Sequence, residues 1–289
     1  MNPTPHLSDT DQVTTSSYQG GSSVLQVSVS SRTGIRHRVN QDHVSFRSPD
    51  AFVVADGVGG GAWAEVASEM LSKGLSSLFR PDESSVNALI TQLDVDIATQ
   101  LNALGDGAGA SVVACLWQLD GTEQAYLASW VGDCQLSHWK KSSSWRLSWQ
   151  SQEQSYEALG LQPPEGVSAQ SPANMVGCGM ALPVSHHRLT FQPQERIVLS
   201  SDGFWRAVSP ELLGQFMNQY PAQLPTNAAE QLCDMALRAG SEDDISVLVI
   251  ENILPNVFSP RVFKRWLVLV TLAVCFFAAL GWLWLSGLQ

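Results

Sequence analysis

Five short acidic motifs carry the chemistry open to this chain: Asn40-Gln41-Asp42, Ala55-Asp56-Gly57-Val58-Gly59-Gly60, Val131-Gly132-Asp133, Ser200-Ser201-Asp202-Gly203 and Glu242-Asp243-Asp244-Ile245-Ser246. They are spread from residue 40 to residue 246, and most adjoin a run of β-type apolar residues. Carboxylates at strand ends can converge in space although they are remote in sequence. Once gathered they repel one another and resist ionising together. A shared hard cation, Mg²⁺ or Mn²⁺, relieves that repulsion through oxygen ligands. The pattern therefore predicts an oxygen-ligand metal site with more than one ion. Taken singly, each motif reads equally well as a turn, since Asp-Gly is a common turn pair. Their order and spacing together are far more specific than any member. The glycines after Asp56 would let backbone approach an ion or a phosphate closely. No Gly-Lys-Ser/Thr follows them, so this is not a Walker loop.

These motifs need elements to position them. Strands are expected at 24–30, 51–55, 111–119, 124–131, 135–139, 196–200 and 245–250, all rich in Val and aromatic residues. Helices are expected at 63–78, 84–104, 210–220 and 226–239, with Ser84 and Thr226 as N-caps and Gly240 just past a C-terminus. The order does not alternate strand and helix, which disfavours a doubly wound parallel sheet. Two antiparallel sheets with helix pairs outside fit better. Residues 156–180, with Pro163, Pro164 and Pro172, show no clear period and read as a mobile flap.

Charge and cysteine usage narrow the class. The 289 residues carry a net charge of −11. Arg261, Lys264 and Arg265 lie near the C-terminus and no acid follows Glu251, so residues 1–260 hold 13 basic against 27 acidic side chains. Such a surface would repel a nucleic-acid backbone. Five cysteines without a CxxC pair suggest reduced thiols in the cytosol, and the lack of Cys/His clustering disfavours zinc.

The two ends differ. Residues 1–22, rich in Ser, Thr, Gln and Pro, read as a disordered leader. Residues 266–285 form an uncharged run, which as a helix spans roughly 30 Å, a bilayer's hydrocarbon thickness. Trp266, Trp282 and Trp284 flank it, and the cations precede it. The expected layout is a catalytic domain at 23–252, a linker at 253–261, a transmembrane helix at 262–285 and a tail at 286–289. The positive-inside rule then places the main domain in the cytoplasm. The location is a single-pass protein of the cytoplasmic (inner) membrane.

The motifs together resemble the metal-dependent protein serine/threonine phosphatases of the 2C type, bacterial members in particular. The resemblance runs from about residue 24 to 252. It includes Thr33-Gly34, Glu65-Val66-Ala67-Ser68, Gly107-Ala108-Gly109-Ala110-Ser111 and Asp202-Gly203-Phe204-Trp205 besides the acidic motifs. It implies an α+β fold, a four-layer α-β-β-α sandwich. It implies two Mg²⁺ or Mn²⁺ ions bridged by water and by Asp56, with the Gly57 carbonyl, Asp202 and Asp243 as ligands and Asp42 on the metal-and-water side. Asp133 matches a ligand of a weaker third ion. The implied activity is hydrolysis of phosphoserine or phosphothreonine on proteins by a metal-bridging hydroxide. A cognate serine/threonine kinase is an implied partner.

Three positions depart from that pattern. Gln41 stands where many relatives have Glu. His37 stands at the usual phosphate-binding arginine, leaving Arg36 and Arg38 as the two catalytic candidates. Asp244 replaces the usual Asn. These departures keep a rival reading open, a membrane-tethered pseudophosphatase acting as a binding or scaffold module.

Overall fold

The computed structural model describes residues 6–7, 12–20, 23–58, 63–104, 109–119, 124–179 and 183–253. In chain order the strands are β1 (His6–Leu7), β2 (Gln12–Gly20), β3 (Ser23–Arg32), β4 (Asp42–Arg47) and β5 (Ala51–Val58). Helices α1 (Ala64–Ser76) and α2 (Glu83–Ala103) follow, then β6 (Ala110–Gln118), β7 (Ala125–Val131), β8 (Gln135–Lys141), β9 (Trp145–Gln150), β10 (Ser185–Thr190) and β11 (Glu195–Ser200). Helices α3 (Asp202–Trp205), α4 (Pro210–Gln219) and α5 (Ala228–Arg238) precede the last strand, β12 (Ile245–Ile253). The strands form two antiparallel sheets, ordered β1-β4-β5-β6-β7-β10 and β2-β3-β12-β11-β8-β9.

Side-chain alternation explains the layering. On β5, Phe52 and Val54 face the other sheet, while Ala51, Val53 and Ala55 face α1 and α2. Strand β12 splits likewise: Leu248 and Ile250 point between the sheets, and Ile245, Val247 and Val249 point to α4 and α5. Both faces of the central strands are therefore buried, which is why they read as nearly continuous apolar runs rather than as polar–apolar alternation. Each fully buried large apolar side chain contributes roughly 1.5–3 kcal/mol. The α-β-β-α order expected above is thus the observed one.

Local polar contacts lock the layers. Trp117 is fully buried, and its Nε1 donates to the Leu75 carbonyl at 3.2 Å. Arg196, also fully buried, pairs with Glu251 at 2.7 Å, donates to the Met217 and Tyr220 carbonyls and stacks on Trp145 at 3.8 Å. Removing either partner would strand a buried charge, a cost of about 3–5 kcal/mol.

Several expectations shift. Helix α2 begins earlier than expected, with Asp82 rather than Ser84 as N-cap. The Asp82 side chain accepts from Ser85 N at 2.8 Å and Ser85 Oγ accepts from Asp82 N at 3.0 Å, a capping box. Asn227, not Thr226, precedes α5. Gly240 does follow the C-terminus of α5, at φ +93°. The leader expected at 1–22 contains two strands: β2 extends the second sheet along β3, and β1 pairs with β4. A bare β3 edge is a template for backbone pairing, and β2 pairs along it. Strands β4, β9 and β10 were not anticipated. In β4 and β10 some polar residues find partners: Ser45 Oγ donates to Ser76 Oγ, and His186 contacts Ser129 Oγ at 2.8 Å. In β9 Arg146, Ser148 and Gln150 are exposed, so only every second residue faces the protein.

Residues 156–179 form successive turns. They are tied down by bridges from Ser155 to Pro172 and from Ser111 to Val176, and by Asp94 Oδ1, which accepts from Gly177 N and Cys178 N. Trp139 and Trp145 pack in the core beneath α4, and Trp149 stacks on His187 at 4.2 Å. The expected transmembrane helix and tail, nearly all of the linker, and Gly59 and Gly60 lie outside the described residues. Among the described residues no helix is long and apolar enough to cross a membrane.

Candidate metal centre

Register brings the first two carboxylates together. Asp42 and Asp56 are direct partners across the β4–β5 ladder, so their side chains share one face at neighbouring positions. Asp202 opens α3 at the end of β11, and Asp243 lies in the turn from α5 into β12. Strands β11 and β12 are adjacent, so their ends meet. Asp133 occupies the β7–β8 turn, after Gly132 at φ +90°. Asp56, Asp133, Asp202 and Asp243 all line one cleft of about 610 Å³, with Gly57 and Gln41 beside them. Asp42 lies behind that lining, almost wholly buried, and accepts from Ser201 Oγ at 2.7 Å.

Two glycines make this approach possible. A Cβ at Gly203 would sit 2.0 Å from the Asp244 carbonyl oxygen, and one at Gly34 would sit 2.3 Å from the Asp243 carbonyl carbon. Any side chain there would push the Asp202 and Asp243 segments apart.

The electrostatics are those of crowded, desolvated acids. Burial first, then the neighbouring Asp244, raises the Asp42 carboxyl well above the usual range, against the hydrogen bond from Ser201. Asp56 is raised well above it too, by burial and then by Asp42, Asp202, Asp133 and Asp243. Asp202 is raised by burial and by Asp243, and it lies within hydrogen-bonding reach of Asp56. Burial pushes Asp133 up to about 7, with Asp202 adding to the shift and Arg206 opposing it.

This donor set fits hard divalent cations. It is all oxygen, and two of its atoms, Asp42 Oδ1 and Gln41 Oε1, are buried without a hydrogen-bond partner. Buried acceptors left in that state carry a desolvation cost that a cation removes. Magnesium or manganese suits such ligands; zinc prefers nitrogen and sulfur.

Other expected residues fall differently. Arg36 stands at the rim, 60% exposed, paired with Glu242 at 3.0 Å and 3.8 Å from Asp243. Arg38 is exposed and is not among the cleft's lining residues. His37 Nδ1 hydrogen-bonds Asp244 Oδ2 at 2.9 Å. Asp244 also accepts from Gly34 N and Gln41 N, both at 2.7 Å, so it clamps the 34–41 loop that presents Gln41. His37, Asp243 and Asp244 form a tight group of potential ligand atoms, although the hydrogen bonds already made by Asp244 give it the role of a strut. Two residues of the site escaped sequence reasoning, Ser201 and Arg206. Ser201 carried a signal, since it directly precedes Asp202; Arg206 carried none.

An α-β-β-α sandwich with aspartates from four segments lining one cleft, and Asp42 buried behind them, is the architecture of a 2C-type phosphatase fold. The chain belongs to the stage II sporulation protein E (SpoIIE) family, whose profile matches residues 50–252. No curated protein sequence matches the chain. Among solved structures it is similar to PppA, titled a key regulatory component of T6SS in Pseudomonas aeruginosa, at 21% identity and TM-score 0.65 over 79% of this chain and 98% of that one. It is similar to the catalytic domain of the serine/threonine protein phosphatase PstP in complex with two manganese ions, at 20% identity and TM-score 0.63 over 79% and 98%. It is also similar to the serine/threonine phosphatase Stp1 from Staphylococcus aureus, at 18% identity and TM-score 0.63 over 78% and 94%. At these identities the likeness establishes the fold.

Proposed function

We propose that this chain is a protein serine/threonine phosphatase that works with two Mg²⁺ or Mn²⁺ ions. The observation that carries the reading is Asp56, which faces Asp42 across one ladder and shares its cleft with Asp202 and Asp243. Asp56, Asp202, Asp243 and the Gly57 carbonyl would hold the ions, with Asp42 beside them. When bound, the ions supply Lewis acidity that neutralises phosphate charge and makes water a competent nucleophile near neutral pH. Ser201 fixes the Asp42 carboxylate, and Asp244 fixes the loop carrying Gln41, whose amide oxygen orients water. Arg36 at the rim offers a guanidinium that can grip phosphate oxygens bidentately. The described free cysteines do not line the cleft, which agrees with direct hydrolysis rather than a phosphocysteine.

The substrates proposed are phosphorylated proteins, a cognate kinase among them, at the cytoplasmic face of a membrane to which residues 262–285 anchor the chain. One observation favours the rival, a tethered pseudophosphatase: His37 and Arg36 are both engaged by acidic neighbours. The full chain in detergent, given Mn²⁺ and a phosphothreonine peptide, separates the two. Phosphate release, faster than from a sugar phosphate, is the expected result. No turnover in either wild type or Asp56→Ala would leave the binding role. Deleting 262–289 is expected to move the chain from the membrane pellet to the supernatant; a truncated chain that still pellets would refute the anchor.

A further inference from the structure

Arg206 lies inside the acidic cleft. Its Nε donates to Asp202 Oδ2 at 3.0 Å. Its Nη2 donates to Asp133 Oδ2 at 3.1 Å, to Glu153 Oε1 at 3.0 Å and to the Gln170 carbonyl at 3.0 Å. The guanidinium also stacks on Trp205 at 4.4 Å, and Trp205 Nε1 donates to the Asp133 carbonyl at 2.8 Å. One side chain thus joins the start of α3, the β7–β8 turn and two points of the 151–179 segment.

We propose that the Arg206 guanidinium is a resident cation of the cleft, standing beside Asp133 where a third divalent ion would otherwise sit. This rests on the two-ion reading above, and it limits the chain to two ions. The reasons are geometric and electrostatic. Asp133 is 3% exposed, so its ionised form calls for a compensating positive charge close by. The guanidinium supplies one that cannot be lost by deprotonation. Asp133 Oδ2 and Asp202 Oδ2 are both already hydrogen-bonded to it. A divalent ion such as Mg²⁺ bound to Asp133 Oδ2 at its ordinary coordination distance, about 2.0–2.1 Å, would lie against a like charge. Arg206 would have to leave, breaking its contacts with Glu153 and Gln170 as well.

The test is the number of Mn²⁺ ions bound by the full chain in detergent. It is read by titration calorimetry and by the electron paramagnetic resonance of free Mn²⁺, for wild type, Arg206→Gln and Asp133→Asn. Two equivalents are expected for wild type and for Asp133→Asn, and three for Arg206→Gln, the third weaker. Three in wild type, a lower count in Asp133→Asn, or only two in folded Arg206→Gln overturns the proposal. Should Arg206→Gln fail to fold, the wild-type and Asp133→Asn counts still decide it. Wild type that binds no Mn²⁺ overturns the phosphatase reading as well, whereas three ions with normal turnover overturns this inference alone.

Discussion

Replacing Asp202 by Asn is expected to lower turnover on a phosphothreonine peptide by about a thousandfold and to weaken Mn²⁺ binding, with the fold intact. The substitution preserves shape and removes one anionic ligand. Metal ions supply several kcal/mol of charge stabilisation in such reactions, and each 1.36 kcal/mol is tenfold in rate. The same change should raise, not lower, the melting temperature of the metal-free chain. Asp202 is half-buried among Asp56, Asp133 and Asp243, so removing its charge relieves repulsion. Opposite signs for activity and apo stability distinguish a metal ligand from a structural aspartate. A variant with unchanged rate and unchanged Mn²⁺ affinity would contradict the proposed ligand set.

The second large effect is a pH dependence that changes sign with metal. In the folded metal-free chain Asp133 holds its proton up to about pH 7; unfolded, it releases it near 3.9. Between those values the native state binds more protons, so stability falls as pH rises. One pKa unit is about 1.4 kcal/mol, which makes the loss from Asp133 on the order of 2–4 kcal/mol across the window. Asp42, Asp56 and Asp202 are displaced in the same direction. His186 and His187 oppose it, because burial lowers both and their folded forms gain stability as pH rises towards 6.5. The depressed acids Asp82, Glu195 and Glu211 act only below this window. Thermal melts from pH 5 to 8 in chelator, for wild type and Asp133→Asn, isolate the aspartate as the difference between them. That difference should shrink the wild-type advantage steadily as pH rises. Adding Mn²⁺ should reverse the slope of the wild-type curve, since cation and proton compete for the oxygens of Asp56 and Asp202, which are displaced upward as well. Identical slopes for wild type and Asp133→Asn in chelator would refute the assignment of the shift to this site.

Much of the sandwich was legible before any coordinates. Strands β5, β6, β7, β11 and β12 carry dense apolar runs because both their faces are covered, whereas β3 and β8 mix apolar residues with buried Ser28, Ser30, Ser137 and His138. Of the strands that escaped, β9 exposes Arg146, Ser148 and Gln150, while β4 and β10 place polar side chains against partners across the fold. In β4, His43 and Ser45 look solvated in one dimension and are buried in three. Strand β10, Ser-His-His-Arg-Leu-Thr, is an edge whose histidines are satisfied by Ser129 and Trp149. The N-terminal residues lacked an apolar period because the edge strand β2 is held by the β3 backbone, and backbone pairing leaves no residue pattern.

The site divides along the same line. Which residues could ligate a hard cation was written in the chain, since aspartate at strand ends beside glycine is a local property. Local reading also supplied the apolar runs of the central strands, which are covered on both faces. Tertiary structure alone decided that Asp42 faces Asp56, that Asp244 is a strut for the 34–41 loop, and that Arg206 reaches Asp133 and Glu153 from 73 and 53 residues away. Those outcomes depend on ladder register and on where a long flexible side chain finds its countercharges, and neither quantity is encoded within any one stretch of sequence.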